Sequence, residues 1–260
     1  MIMKKLGSFH GLILGLAAIF GAFLIEGGSI KALFLIPPIM VVFGGTFAAV
    51  IIGFGIENFK KIFQLMKLAY NPADYDIKVL ISAFVELAKK GRREGLLSVE
   101  RDLQTLRYPF PQKMIKFVLD GTDAMALENI AATELKAMQD RHYSNIFIFT
   151  KMGGYAPTMG ILGTVMGLIM TLANAGNDPN ILIHNIASAF IATLWGVFSA
   201  NLIWLPIADK LKQCHLKEKH MMEVSLEGVL AIQAGEIPSI IKSRLMSMLP
   251  QKEQKGLLAN

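Results

Sequence analysis

Four apolar runs, at residues 6–25, 32–54, 151–173 and 181–207, dominate this chain. Crossing the hydrocarbon of a bilayer takes about 20 helical residues. Inside that hydrocarbon every backbone N–H and C=O needs a partner within the protein, which only helices and closed barrels supply. Long continuous runs therefore predict helices. The fold class expected is all-α: a polytopic membrane protein with four transmembrane helices and a helical cytoplasmic domain. A hydrophobic fraction of 53% agrees with a membrane class. So does a mean hydropathy of +0.47.

The basic residues orient the spans. Residues 55–151 carry 15 Lys and Arg, residues 208–260 carry 8, and Lys4 and Lys5 precede the first run. The loop between the first two runs has only Lys31, and the loop at 176–180 has none. Lys and Arg gather on the cytoplasmic side of short loops and span ends. Both termini are therefore expected in the cytoplasm, at the bacterial inner membrane, with two short loops outside. The net charge of +6 is explained by this topology, so no nucleic-acid partner is expected. The start, Met1-Ile2-Met3-Lys4-Lys5 before an apolar run, resembles a signal peptide. No small-x-small cleavage site precedes polar sequence, so this run is expected to be retained as the first span.

Four regions follow: 1–54 with the first two spans, 55–150 cytoplasmic, 151–207 with the last two spans, and 208–260 a cytoplasmic tail. The 55–150 region is rich in Leu, Ala, Lys, Glu and Met and reads as helical. Residues 57–70 are expected to extend the second span as a basic amphipathic helix. Helices are expected at about 74–90, 95–107, 111–120 and 123–143, with a turn at Gly91. The tail continues the fourth span, breaks between Gly235 and Pro238, and resumes as a short helix.

Cys214 is the only cysteine, so no internal disulfide forms. His10, His142, His184, His215 and His220 are scattered, and no metal-ligand spacing is present. No metal and no cofactor is expected.

No ionisable residue lies in the middle of any span; Glu26 and Lys151 sit at span ends. Intramembrane carboxylates are the usual ion carriers, so an ion path here needs a carboxylate from a partner, or hydroxyls and carbonyls. The third run has five glycines between Gly153 and Gly167, with Pro157 and Thr164 among them. Glycines let helices approach closely. Pro157 frees a carbonyl one turn earlier. The fourth run adds Thr193, with Asn185, Ser188, Ser199 and Asn201. Two readings stay open: these groups line an ion path, or the threonines bond back to their own helix and the glycines only pack. Gly7, Gly11 and Gly15 read as a packing face of the first run.

The pattern Gly-x-x-x-Pro-x-x-Gly-x-x-Gly-Thr-x-x-Gly-Leu from Gly153, with Thr-Leu-x-Gly at 193–196, resembles the signature of the MotA/TolQ/ExbB proton-channel family. TolQ and ExbB subunits have one span before the cytoplasmic region. This chain has two, as MotA-type flagellar stators do, and the resemblance covers essentially the whole chain. It implies a subunit that is not an enzyme. Such a subunit turns a sodium or proton gradient into torque, as a pentamer around two copies of a MotB-type partner whose span carries an aspartate. It places Thr164, Thr193 and Pro157 on the ion path. The stretch from Arg92 to Glu100 is similar to the part of stators that meets the rotor protein FliG, which implies Arg92, Arg93 and Glu100 as rotor contacts. Pro157 and Pro238 match two prolines implicated in coupling. Sodium-type stators are similar to this chain in carrying Thr at the position of Thr164, where some proton-type ones carry Ala; the resemblance implies sodium, whose hydration shell a hydroxyl replaces in part.

The alternative is a TolQ/ExbB-like energiser that drives an envelope-spanning partner. A small-molecule transporter would show inverted repeats and a charged midplane site, and a scaffold without conductance would leave the Gly-Thr signature without purpose.

Overall fold

The computed structural model describes residues 2–174, 176, 178–251 and 254, with side chains from His10 onward. The described residues form helices and connecting turns, without a strand. The helices are α1 (Ile2–Ile25), α2 (Ile36–Phe54), α3 (Ile56–Tyr70), α4 (Ile77–Glu94), α5 (Pro109–Leu119), α6 (Ala124–Ala173), α7 (Pro179–Gln233) and α8 (Pro238–Ser247).

Three of them are long and apolar enough to cross a membrane: α2, α6 and α7. α1 is a helix of 24 residues, and the part of it with described side chains, His10–Ile25, is apolar. The second span begins at Ile36 rather than near residue 32. A separate helical turn, Ile30–Leu33, precedes it, and Leu35 is extended. The cause is Pro37-Pro38 at the start of the span, since proline suits a first helical turn and disfavours helix before it.

The chain divides into two compact units. One comprises residues 1–73 and 142–214, the other residues 74–141 and 215–260, and α6 and α7 contribute to both. In the first unit the core joins Val50, Ile62, Ile148, Phe149, Met152, Trp204 and Ile207. Two wide turns interrupt its helices, at Met40–Gly44 in α2 and Ala200–Trp204 in α7. Such π-type turns insert one residue and re-aim the side chains that follow. Phe43 of the first turn packs 6.4 Å from Trp204 of the second, ring centre to ring centre.

Three further sequence expectations change. Residues 57–70 do not prolong the second span, because Gly55 at φ 79° ends α2 and α3 starts afresh. Gly91 does not turn; α4 runs through it to Glu94 and ends at Gly95, φ 86°. A Cβ on Gly91 would lie 3.4 Å from Val99, so the helix continues there against a packed neighbour. The helix expected at 123–143 and the third span are one helix of 50 residues, since the change from polar to apolar sequence contains no breaker.

In the second unit, Phe84, Leu80, Met114, Ile115, Leu127 and Ile241 lie in one buried cluster. Residues Leu96–Leu106 form a 3-10 helix. The break near Gly235, at φ 67°, and the resumption at Pro238 fall where the sequence places them.

Candidate ion path and rotor-facing surface

In the first unit, α6 and α7 meet through small residues. A Cβ on Gly160 would lie 2.9 Å from Ala192 O, and one on Gly196 would lie 2.7 Å from Ala156 O. Gly163 and Gly167 oppose the Cβ atoms of Ala192 and Ala189 at 2.5 Å and 2.6 Å by the same construction. These glycines pack helices, which is the plainer of the two readings for them. Gly154 differs, with open space around it. On the first span, Gly15 meets Leu202 and Gly11 meets nothing; Gly7 lies outside the residues whose surroundings are described.

The close crossing brings Thr164 and Thr193 together. Their hydroxyls are hydrogen-bonded to each other. Thr164 Oγ1 also lies 3.1 Å from Gly160 O on its own helix and 3.1 Å from Ala189 O on α7. A hydroxyl carries one proton and two lone pairs, so two protons serve this group of four oxygens. Back-bonding to the helix and a cross-helix cluster are therefore both present. Neutral oxygens gathered this way replace part of a cation's hydration shell, or relay a proton along hydroxyls. The Ala189 carbonyl had no signal in the sequence, because backbone acceptors carry none.

Pro157 lies within α6 without ending it. Lacking an N–H, it leaves the carbonyl one turn earlier without its helical partner. It adjoins the Ala156–Gly160–Gly196 crossing, so that site is near the narrowest approach of the two helices. Asn185 and Ser188 are half-buried, Ser199 is buried with its hydroxyl donating to Gly196 O at 3.2 Å, and Asn201 is exposed.

In the second unit, α4 ends with Arg92 and Arg93 in its last turn, where cations complement the helix dipole. Gly95 turns the chain, and the Ser98 hydroxyl donates to Gly95 O at 2.7 Å. Lys90 pairs with Asp102 at 2.6 Å across the turn, and Val99 is fully buried. This clasp presents Arg92, Arg93 and Glu100 outward, all three exposed. None of them takes part in an ion pair among the described residues. Gly95 separates Arg92 from Glu100, as its place in the sequence suggests, so the two sit on successive elements.

Pro238 is the first residue of α8. With Lys242 it lines a groove whose other wall is Ser82, Glu86 and Lys89 of α4. The structure thus brings Pro238 to the helix that carries Arg92 and Arg93, although their sequence numbers are far apart. Arg244 of α8 holds Glu227 at 3.2 Å and Glu236 at 3.0 Å, fixing the turn before Pro238. The sequence reading missed Gly228, where a Cβ would lie 2.8 Å from the ring of Phe84. Its signal was a glycine inside a helical pattern. Among the described residues, no three His, Cys, Asp or Glu side chains gather as a metal site.

The model of the MotA/TolQ/ExbB proton channel family matches residues 102–224, and that of the motility protein A N-terminal region matches residues 9–95. Motility protein A of Bacillus subtilis is 36% identical over 95% of this chain and 92% of its own. Chemotaxis protein PomA of Vibrio alginolyticus is 32% identical over 94% and 95%. Among solved structures, the flagellar MotAB stator complex from Bacillus subtilis contains a chain with TM-score 0.90 and 35% identity, over 96% of this chain and 98% of that one. A C. jejuni MotAB chain shares the fold at TM-score 0.88 and 22% identity, over 95% and 96%. End-to-end coverage by relatives above 30% identity, joined to the Gly-Thr crossing of α6 and α7, shows that the chain belongs to the MotA/TolQ/ExbB proton channel family, in its motility protein A branch.

Proposed function

We propose that this chain is the ion-channel subunit of a flagellar motor stator, a membrane protein that couples an ion gradient to rotation. The observation that carries this reading is its likeness, over nearly its whole length, to a chain of a flagellar MotAB stator complex. A MotB-type partner supplies the membrane aspartate that this sequence lacks, and five copies of this chain surround two of the partner. Four spans place both termini in the cytoplasm, at the inner membrane. Nothing is hydrolysed and no cofactor is needed. The work comes from ions crossing the membrane potential, about 2.3 kcal/mol per charge per 100 mV.

The ion leaves the partner's aspartate past Thr164, Thr193 and the carbonyl freed by Pro157. The four-oxygen cluster supports sodium as the coupling ion. Arg92, Arg93 and Glu100 pass torque to FliG. Their exposure, and the absence of an ion pair to them among the described residues, support a contact made and remade at each step, because exposed pairs contribute only about 0.2–1 kcal/mol. Pro238 couples through the groove between α8 and α4.

Swimming in a stator-less host supplied with this chain and its partner tests the reading. Speed should rise with external sodium. Thr164→Ala should remove the sodium response and Thr164→Ser should keep it. Swimming indifferent to sodium makes protons the coupling ion. No swimming, with both chains inserted and a compatible rotor, overturns the torque role.

A further inference from the structure

Helix α3 (Ile56–Tyr70) has three faces, and the first unit accounts for one of them. Ile62, Leu65 and Ala69 are buried and join the core with Ile148 and Phe149. A second, more polar face exposes Glu57, Lys61 and Gln64 together with Leu68. The third face is a stripe of Ile56, Lys60, Phe63, Lys67 and Tyr70, all exposed. Its spacing of four, three, four and three residues keeps these side chains in one line, about 150° around the helix from the buried face. Phe63 is 69% exposed, Ile56 49% and Tyr70 43%.

The stripe alternates apolar and basic residues. A purely apolar line would call for a dry protein or hydrocarbon contact, and a purely basic one would be solvated. The alternation fits a surface with hydrocarbon on one side and negative charge beside it. Tyrosine rings sit at headgroup depth, phenylalanine on an interfacial helix reaches the boundary between headgroups and acyl chains, lysine stems lie along apolar surface with the ammonium free to reach outward, and juxtamembrane lysines are attracted to anionic lipid. The position agrees. α2 ends at Phe54, Gly55 turns the chain at φ 79°, and α3 begins with the next residue, where a span meets the headgroups. Charge agrees too, with three lysines against one glutamate in Ile56–Tyr70. Lys67 has no carboxylate partner among the described residues. Lys60 is 3.3 Å from Glu57 in an exposed pair, which leaves it available.

We propose that the stripe of Ile56, Lys60, Phe63, Lys67 and Tyr70 is a docking surface for anionic phospholipid, the two ammonium groups taking headgroup phosphates and the rings lying among them. The inference rests on α2 spanning the membrane and is independent of the torque reading.

Amide exchange over residues 56–70 tests it, on the complex with its partner chain in nanodiscs. One set contains phosphatidylcholine alone, the other phosphatidylcholine mixed with phosphatidylglycerol. Exchange should slow by up to about thirtyfold in the anionic discs, which is two lysines at about 1 kcal/mol each. The double variant Lys60→Gln, Lys67→Gln should erase that difference while leaving exchange in neutral discs as it was. Equal exchange in both lipids overturns the proposal. Equal loss of protection by the double variant in both lipids also overturns it, since that is a purely structural role for the lysines. Failure of the swimming test leaves this result standing, because the readout contains no torque.

Discussion

The two units solve the packing problem differently. Residues 74–141 and 215–260 bury a Leu, Ile, Met and Phe core under paired charges such as Lys90–Asp102 and Arg244 with Glu227 and Glu236. That is how a water-facing unit is held, by removing apolar area from water at about 25 cal/mol per Å². Residues 1–73 and 142–214 join α6 to α7 through glycine against alanine and backbone, with hydroxyls bonded to carbonyls. In lipid, moving a leucine from a tail to a helix gains little, so close backbone approach and hydrogen bonds hold the helices. The lesson is that one chain needs large side chains across the core of one unit and their absence at the α6–α7 crossing of the other.

The contrast is broken most strongly by removing a large side chain from the water-facing core. Phe84 is fully buried, and Gly228 leaves room for its ring. Phe84→Ala should cost about 3–5 kcal/mol. It should be read as lost amide protection over residues 77–119 and as a lower melting temperature of the purified complex. A cost under about 1 kcal/mol would show that this unit is not held by its apolar core.

Adding a side chain is the matching test in the other unit. Gly196→Val places atoms where Ala156 O already sits at 2.7 Å from the first carbon, and a backbone oxygen cannot rotate away. Overpacking of this kind costs about 1–3 kcal/mol. The expected outcome is a lower melting temperature with loss of ion conduction, as Thr193, one turn before Gly196, is pushed away from Thr164. Gly154→Val, in open space, is the control within the single chain, and it should leave the melting temperature of the isolated subunit unchanged. Equal effects of the two valines would deny that the crossing is the tight point.

The elements were legible to different degrees, for physical reasons. Three of the apolar runs appear as helices fit to span, because length and hydropathy are properties of sequence alone. The break at Gly235 and Pro238 was legible because glycine and proline act locally. Gly91 misled because a glycine marks a turn only when no neighbour packs against it, and Val99 does. The wide turns at Met40–Gly44 and Ala200–Trp204 leave the apolar pattern intact and so leave no trace in it. Thr164 and Thr193 could be singled out as hydroxyls in apolar runs, but their shared acceptor, Ala189 O, belongs to the fold. Arg92, Arg93 and Glu100 were singled out by resemblance, and the clasp of Lys90 and Asp102 that presents them was not visible, since a pair twelve residues apart across a turn has no spacing rule.

The smallest effect on stability should come from the surface with the largest expected effect on torque. Arg92 and Glu100 are exposed and lie outside the ion pairs of the described residues, so Arg92→Ala or Glu100→Ala should shift stability by no more than about 0.5 kcal/mol. Melting of the purified complex checks this, while swimming speed reports the torque, which should fall. Arg92→Glu should lower it further than Arg92→Ala, because a like charge repels where a truncated one only ceases to attract. Lys90→Ala separates presentation from contact. It removes the 2.6 Å pair with Asp102 and loosens the turn while keeping the charges of Arg92 and Glu100, so it should weaken torque less than Arg92→Ala. If Lys90→Ala abolished swimming while Arg92→Ala did not, the clasp rather than the outward charges would be the part that meets the rotor.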